Sequence, residues 1–586
     1  MKQFFKFMFA SMLGTFLTIL ILSFIIAGII AGIVASASSE ELVIENNTLL
    51  HMKLNTKIMD RSPKLPFFSG FNMPEKPIGL NDILNNLKKA GKDDKIKGIY
   101  LDLSEIPAGI STIYEIREGL LDFKKSGKFI WAYSEGYTQK SYYLATAADK
   151  IFLNPEGGIL LKGLNTEMTF LKGMFEKLDI KMQVIRHGKF KAATEPLFLD
   201  KMSAENREQI TKLISDIWDS MLSGISESRG ISRQELNMLA DSLKIETTKD
   251  ALQYKLVDQL VYKDELIKAL KKKISLEEKA KLRFVGLDDY TKVAESEKSG
   301  SRKNKIAVIY AQGSIGGGEG DDQSIGSERI SKAIRKARED EKVKAIVFRI
   351  NSGGGSALAS DVIWREIDLA SKVKPVVASF GDVAASGGYY IACASTKILA
   401  NPTCITGSIG VFGVIPNFQG LFNKKLGITF DEAGTNKNSD FITVVKPLSP
   451  YQTMIIQRDV DHIYTVFTTK VAEGRKLPVA TVDSVGQGRV WSGSDAKKIG
   501  LIDAYGGLTK AISLAAELAK IKDYRLLSLP EQKDPFQQIL DEIMGNSPSS
   551  RLQQYLGEDY ELYLYLKEIR EMKGVQARML VEFNIE

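Results

Sequence analysis

The 586-residue sequence predicts an α/β protein in which two tandem copies of one unit follow an N-terminal membrane-spanning helix. Three observations carry that expectation. Short apolar runs (IKGIYLDL, KFIWAYSE, KIFLNP, and later VKAIVFRI, PVVASFG, KILANP) alternate with longer segments of helical period such as DVIWREIDLASKV. Alternation of that kind is the pattern of βα units around a mainly parallel sheet covered by helices. Residues 95–178 and 342–426 read alike, and an uncharged run extends from Phe7 to Ser39.

That run, through FLTILILSFIIAGIIAGIV, exceeds the roughly 20 apolar residues that span a bilayer. The apolar region of a signal peptide is shorter, about 7 to 15 residues. We therefore expect an uncleaved anchor through residues 7–36; the small-residue stretch VASAS (Val34 to Ser38) leaves a cleaved signal as the alternative. Lys2 and Lys6 precede the span, and Glu40, Glu41 and Glu45 follow it, so the positive-inside tendency leaves the tip cytoplasmic and the bulk outside.

Residues 1–39 are thus the cytoplasmic tip and anchor, 47–287 a first unit and 306–530 a second. The polar, aperiodic DDYTKVAESEKSGSRKNK at 288–305 reads as the linker between them. Residues 531–586 read as a helical, amphipathic extension (QQILDEIM, YELYLYLKEIREM) broken at GNSPSS, and are expected to pack on the core. Tyr142-Tyr143 falls on Tyr389-Tyr390 and Asn154-Pro155 on Asn401-Pro402 at one offset, a duplication of large units with too long a period for a solenoid.

With 44% hydrophobic and 26% charged residues the chain is globular. A net charge of +7 over 79 basic and 72 acidic residues, with no basic run interleaved with aromatics, gives no nucleic-acid face. Cys393 and Cys404 are too few for a disulfide scaffold or a four-thiolate zinc site and read as buried thiols. No HExxH or paired Cys/His spacing suggests a metal, and no Walker A or convincing dinucleotide fingerprint suggests a cofactor.

Two glycine-rich turns remain. NSGGGSALAS, residues 351–360, ends an apolar run; its glycines permit positive φ and close approach of a ligand, or simply make a tight strand-to-helix turn. AQGSIGGGEGDD, residues 311–322, reads as a flexible loop that could flank a groove. GDVAASGGYY, residues 381–390, puts Ser386 at another strand-to-helix turn. A serine there is a good helix cap. Its small neighbours also suit a nucleophile that a peptide backbone must approach, with the Gly387 N–H helping to hold an oxyanion.

NSGGGS, then GDVAASGGYY, then NPTCITGSIGVFG together resemble the signal peptide peptidase A family in its long, duplicated, membrane-anchored form. The resemblance runs from the anchor to about residue 530. It implies two Clp protease/crotonase-like ββα domains and a serine protease using a Ser-Lys dyad. Ser386 then matches the nucleophile. GKFKAATEPLF, residues 188–198, matches the segment with the general-base lysine, which falls on Lys191. Ser408 matches the serine that orients this lysine, and Gly354 and Gly387 match donors to the oxyanion. Gly353 stands where the family commonly has proline, which makes that loop more flexible.

The repeat agrees. Gln139 aligns with Ser386, Leu161 with Ser408 and, after a one-residue shift, Ser439 with Lys191, so each half keeps what the other lost. One composite site at the interface is the expectation. A solvated lysine, with a pKa near ~10.4, is charged and useless as a base, so Lys191 must be enclosed. Of the three histidines, His187 lies four residues before Lys191 but is not required, and His51 and His462 show no acid partner in the sequence.

The resemblance further implies peptide substrates, chiefly remnant signal peptides and other unfolded hydrophobic chains, and assembly into a tetrameric bowl. It implies the outer face of a bacterial cytoplasmic membrane as the place of work. The same fold superfamily holds acyl-CoA enzymes, and an inactive membrane scaffold is a further alternative.

Overall fold

Each apolar run becomes a strand because its residues are β-branched or aromatic and are covered on both faces. The structure is a computed structural model describing residues 2–37, 43–63, 77–293, 303–532 and 575–579. In the first half, the parallel strands Thr48–Lys53, Ile96–Asp102, Phe129–Ser134 and Lys150–Leu153 form the centre of a six-stranded sheet. In the second, Lys305–Gln312, Val343–Ser352, Val376–Ala385 and Ile405–Gly407 form the centre of an eight-stranded one. The duplication is visible element by element: Leu80–Lys92, Ile96–Asp102, Ile110–Lys124, Phe129–Ser134 and Lys150–Leu153 start at one constant offset from Ser327–Glu339, Val343–Ser352, Ala357–Ser371, Val376–Ala385 and Lys397–Ala400.

Each half centres on an apolar core to which the other half adds a few residues, and polar groups tie the halves together. Arg349 on a central strand of the second half pairs with Asp60 (Nε to Oδ1, 2.7 Å) and Glu115 (Nη1 to Oε1, 2.7 Å) of the first. These two carboxylates hold the buried guanidinium above its ordinary pKa. Asp382, four residues before Ser386, accepts from the Thr112 N–H at 2.8 Å and from its hydroxyl at 2.6 Å, at the start of the helix Ile110–Lys124.

A third sheet joins the halves. Lys181–Arg186, from the first half, pairs antiparallel with Phe412–Asn417, from the second, over six residue pairs from Phe412↔Arg186 to Asn417↔Lys181. Side-chain alternation makes a one-residue slip flip every side chain to the other face, so this pairing fixes where the chain leaving Arg186 runs.

Three expectations change. The start of the polar segment read as a linker is the helix Leu287–Lys292, because Leu287 and Tyr290 lie one turn apart and are both buried. The glycine-rich loop at 311–322 contains a strand, Ser314–Gly316, which pairs with Ser324–Gly326 and with Gly355. Within the extension read as helical, Gln576–Arg578 is a strand, because it fills a gap between two strands of the third sheet. Residues 533–574, with GNSPSS, and 580–586 lie outside the described residues, as do Ser38 of VASAS, Glu40, Glu41 and residues 294–302 of the linker.

The N-terminal helix, Lys2–Ala37, is long and apolar enough to cross a membrane over Lys2–Ile25, where mean hydropathy reaches 2.2 with none of the window buried. Cys393 and Cys404 are buried free thiols, as the sequence predicts; burial pushes Cys393 up to about 12.

Candidate active site

Past the seam strand Lys181–Arg186, Gly188 turns the chain at φ +90°, and the segment 188–198 folds back under the second half. The Phe190 N–H donates to Gln487 O at 3.0 Å, and Gln209 Nε2 donates to Phe190 O at 3.1 Å. Arg186 Nη1 donates to Lys191 O at 3.2 Å. Buried Glu195 accepts from Ser203 and Asn206 and so fixes the far end of the segment. Held in this way, Lys191 points inward with 1% of its surface exposed.

Two glycines of the second half admit it. A Cβ on Gly488 would lie 2.6 Å from Lys191 Cα, and one on Gly410 would lie 3.3 Å from Lys191 Cδ. Gly488 also has φ +81°, a conformation that glycine adopts at little cost.

Ser386 is fully buried at the end of the strand Val376–Ala385, with φ 55° and ψ −117°. Positive φ is uncommon for a residue with a Cβ and costs about 1–3 kcal/mol. The Ser386 N–H donates to Gly407 O at 2.8 Å, which holds the turn. The cap alternative fails, because the hydroxyl makes no bond to the helix that begins at Gly387. Its Oγ lies 2.9 Å from Lys191 Nζ and 3.3 Å from Gly410 O.

The glycines after Ser386 serve packing as well as access. A Cβ on Gly387 would meet Ser360 Oγ at 2.7 Å, and one on Gly388 would meet Ser352 O at 2.5 Å.

Ser408 comes directly after the strand Ile405–Gly407, its N–H donating to Arg489 O at 2.7 Å. Lys191 Nζ lies 3.0 Å from Ser408 Oγ and 3.2 Å from Ser408 O. The amine therefore sits between two hydroxyls, and burial lowers its pKa to about 7. An amine at that value is half neutral at neutral pH, so it can take a proton from one hydroxyl and return it.

Gly354 has φ +99°, and its N–H donates to Ser352 Oγ at 3.1 Å. It lies close to Gly387: a Cβ on Gly354 would be 2.7 Å from Gly387 N. In the first half the matching turn is closed, with Gln139 Oε1 accepting from the N–H groups of Lys162 and Gly163, both at 2.9 Å.

Two of the three histidines are engaged elsewhere. His187 Nδ1 lies 2.7 Å from Asp461 Oδ1, its ring stacked on Tyr464 at 3.9 Å. His51 has an acid partner the sequence did not reveal, Asp102, at 3.0 Å. Sequence reasoning also passed over Gly410, Gln209 and Gly488; the GQGR stretch at 486–489 was the one visible sign. Among the described residues no cluster of three or more His, Cys, Asp or Glu is arranged to hold a metal ion.

Comparison with protein-family models matches Peptidase family S49 at residues 122–277 and again at 368–522. The chain is 36% identical to "Serine protease SPPA, chloroplastic" of Arabidopsis thaliana over 548 residues, covering 92% of this chain and 78% of that one. It is 37% identical to "Protease 4" of Salmonella typhi over 477 residues, 80% of this chain and 76% of that one. Among solved structures it is similar to a ClpP1 N165D mutant from Listeria monocytogenes, with 16% identity, 35% of this chain and 94% of that one covered, and a TM-score of 0.24.

Proposed function

The chain belongs to peptidase family S49 and is a serine-type peptidase, and from that premise we propose that it is a membrane-anchored endopeptidase run by a Ser386-Lys191 dyad. One observation carries this reading: a buried amine brought to about 7 lies 2.9 Å from a serine hydroxyl in a strained strand-to-helix turn. Burial is the whole cause of the lowered pKa, since it penalises the ammonium and not the neutral amine.

In the cycle, Lys191 Nζ removes the proton of Ser386 Oγ as the oxygen attacks the peptide carbonyl. The same amine passes that proton to the leaving nitrogen and later activates the hydrolytic water. Ser408 holds the amine in line, and the N–H groups of Gly387 and Gly354 face the developing oxyanion. Gly354 would hand its bond with Ser352 over to that charge.

The substrates are remnant signal peptides and other unfolded hydrophobic chains at the outer face of a bacterial cytoplasmic membrane. The helix Lys2–Ala37 would tether the enzyme where such peptides are released, which raises their effective concentration. Lys2 and Lys6 before the span favour a cytoplasmic tip. The chain is then an anchor at 1–39, units at 47–287 and 306–530 with their linker and an extension at 531–586, and it assembles as a tetramer. Exposed apolar side chains such as Leu426, Ile428, Phe430 and Ile442 support a further interface on the second half.

A fluorophosphonate probe tests the nucleophile: peptide mapping should place the label on Ser386 and find none in Ser386→Ala. A folded, unlabelled wild-type protein would sink the dyad. The base is tested by pH. The active form is the neutral amine, so kcat/KM should rise as pH passes up through about 7 and then level off. Because an ordinary histidine titrates near ~6.5, the profile must be repeated in His187→Gln. Retention of the rising limb assigns it to Lys191, and its loss assigns it to His187.

A further inference from the structure

Two backbone segments put the amine between its hydroxyls: 188–198, which carries Lys191, and 486–490, where the Arg489 carbonyl accepts from the Ser408 N–H at 2.7 Å. One buried side chain grips both. Gln209 lies in the second turn of the helix Ala204–Arg229, which Ser203 caps by accepting from the Asn206 N–H at 3.1 Å. Its Nε2 donates to Phe190 O at 3.1 Å, one residue before the lysine. Its Oε1 accepts from the Val490 N–H at 3.1 Å, one residue after Arg489, and Val490 pairs with Gly407, one residue before Ser408.

Neighbours fix which way the amide faces. Gln209 Nε2 also donates to Asn206 Oδ1 at 3.2 Å, and Asn206 Nδ2 donates to Glu195 Oε2 at 2.9 Å. A carboxylate accepts, so Asn206 turns its NH2 to Glu195 and its oxygen to Gln209. Glu195 in turn lies 3.9 Å from Arg186 Nη1, the group that donates to Lys191 O. A ring of polar groups thus closes around the backbone of the lysine, polarised toward a buried carboxylate. Gln209, 3% exposed, carries that ring across to the second half.

We propose that Gln209 is a positioning residue: it sets the Lys191 segment in register with the strand end behind Ser408 and so places the amine in line with the Ser386 hydroxyl. This rests on the Ser386-Lys191 reading. A lysine side chain is a flexible four-carbon stem, so the point where its backbone is pinned decides where Nζ ends. An apolar residue at 209 removes a partner from the Phe190 carbonyl and from the Val490 N–H, beside a recess lined by Phe190, Asn206, Ile210 and Val490. Water that enters to replace the amide also solvates the ammonium, and the amine becomes more basic. Around the segment stand Arg186, His187, Glu195, Glu208, Arg489 and Asp461, but burial alone holds the amine low.

The test is the rate at which a fluorophosphonate labels Ser386 in the full chain, followed against pH, which reads activation of the hydroxyl without a bound peptide. His187→Gln is the parent, so that no histidine in this segment titrates. Its rate should rise through about 7. Gln209→Met keeps the length and discards the bonds; the rise should move up by about one pH unit or more, and labelling at pH 7 should slow about five-fold. Gln209→Glu keeps the shape and the bond from Val490, but when ionised it cannot donate to Phe190, and its charge favours the ammonium. Its rise should lie at least as high, and it decides the matter if Gln209→Met does not fold. A folded variant whose rise stays at about 7, whether its rate is unchanged or lowered equally at every pH, overturns the positioning role and leaves the dyad standing. A parent that takes no label at Ser386, or shows no rise, removes the dyad and this role with it.

Discussion

Lys191→Met is expected to abolish peptide hydrolysis and, at the same time, to make the protein more stable. Methionine keeps the length of the side chain and discards the amine. Turnover should fall by about 10³-fold or more, since general-base assistance alone contributes 10²–10⁴-fold. The stability gain comes from linkage. The amine titrates near 10.5 when unfolded and at about 7 when folded. Below pH 7 both states are protonated, and the folded state bears the full cost of a buried ammonium, on the order of 5 kcal/mol. Between about 7 and 10.5 the unfolded state binds the extra proton, so wild-type stability rises with pH and the advantage of the variant fades. Thermal melts at pH 6 and pH 9 check both the sign and the trend. A variant that melts below wild type at pH 6 would show that the amine's hydrogen bonds outweigh its desolvation.

Arg349→Met is expected to be strongly destabilising. It leaves Asp60 and Glu115 buried without their cation, and breaking a buried pair from one side costs about 3–5 kcal/mol. The two carboxylates belong to the first half and the guanidinium to the second, so the damage falls on the seam that aligns the site. Turnover at a permissive temperature should drop along with the melting temperature. Replacing all three groups (Arg349→Met, Asp60→Leu, Glu115→Leu) removes the unpaired charges and should recover most of the lost stability. If the single variant melts within a degree of wild type, the cluster is not what holds the halves together.

The strands, the repeat and the separation of Ser386 from Lys191 onto complementary halves were legible because they are written as period, self-similarity and residue type. Alignment of Gln139 with Ser386 even pointed to the turn that is plugged in the first half. What could not be read was everything that depends on three-dimensional proximity. Nothing local marks Arg349 as the partner of two acids more than 200 positions upstream, or Gly488 as the residue that makes room for the Lys191 backbone. The strand Gln576–Arg578 was hidden for a related reason: its pairing partners lie far away in the chain, while the apolar periodicity before it is helical.

The antiparallel seam between Lys181–Arg186 and Phe412–Asn417 also has a meaning in time. Synthesis delivers the lysine 195 residues before the serine, and the partner strand later still. On the proposed dyad, a growing chain therefore carries a complete first unit before the nucleophile exists and before its base is enclosed. Hydrolytic power, on that dyad, is expected to switch on only when the second unit closes on the first.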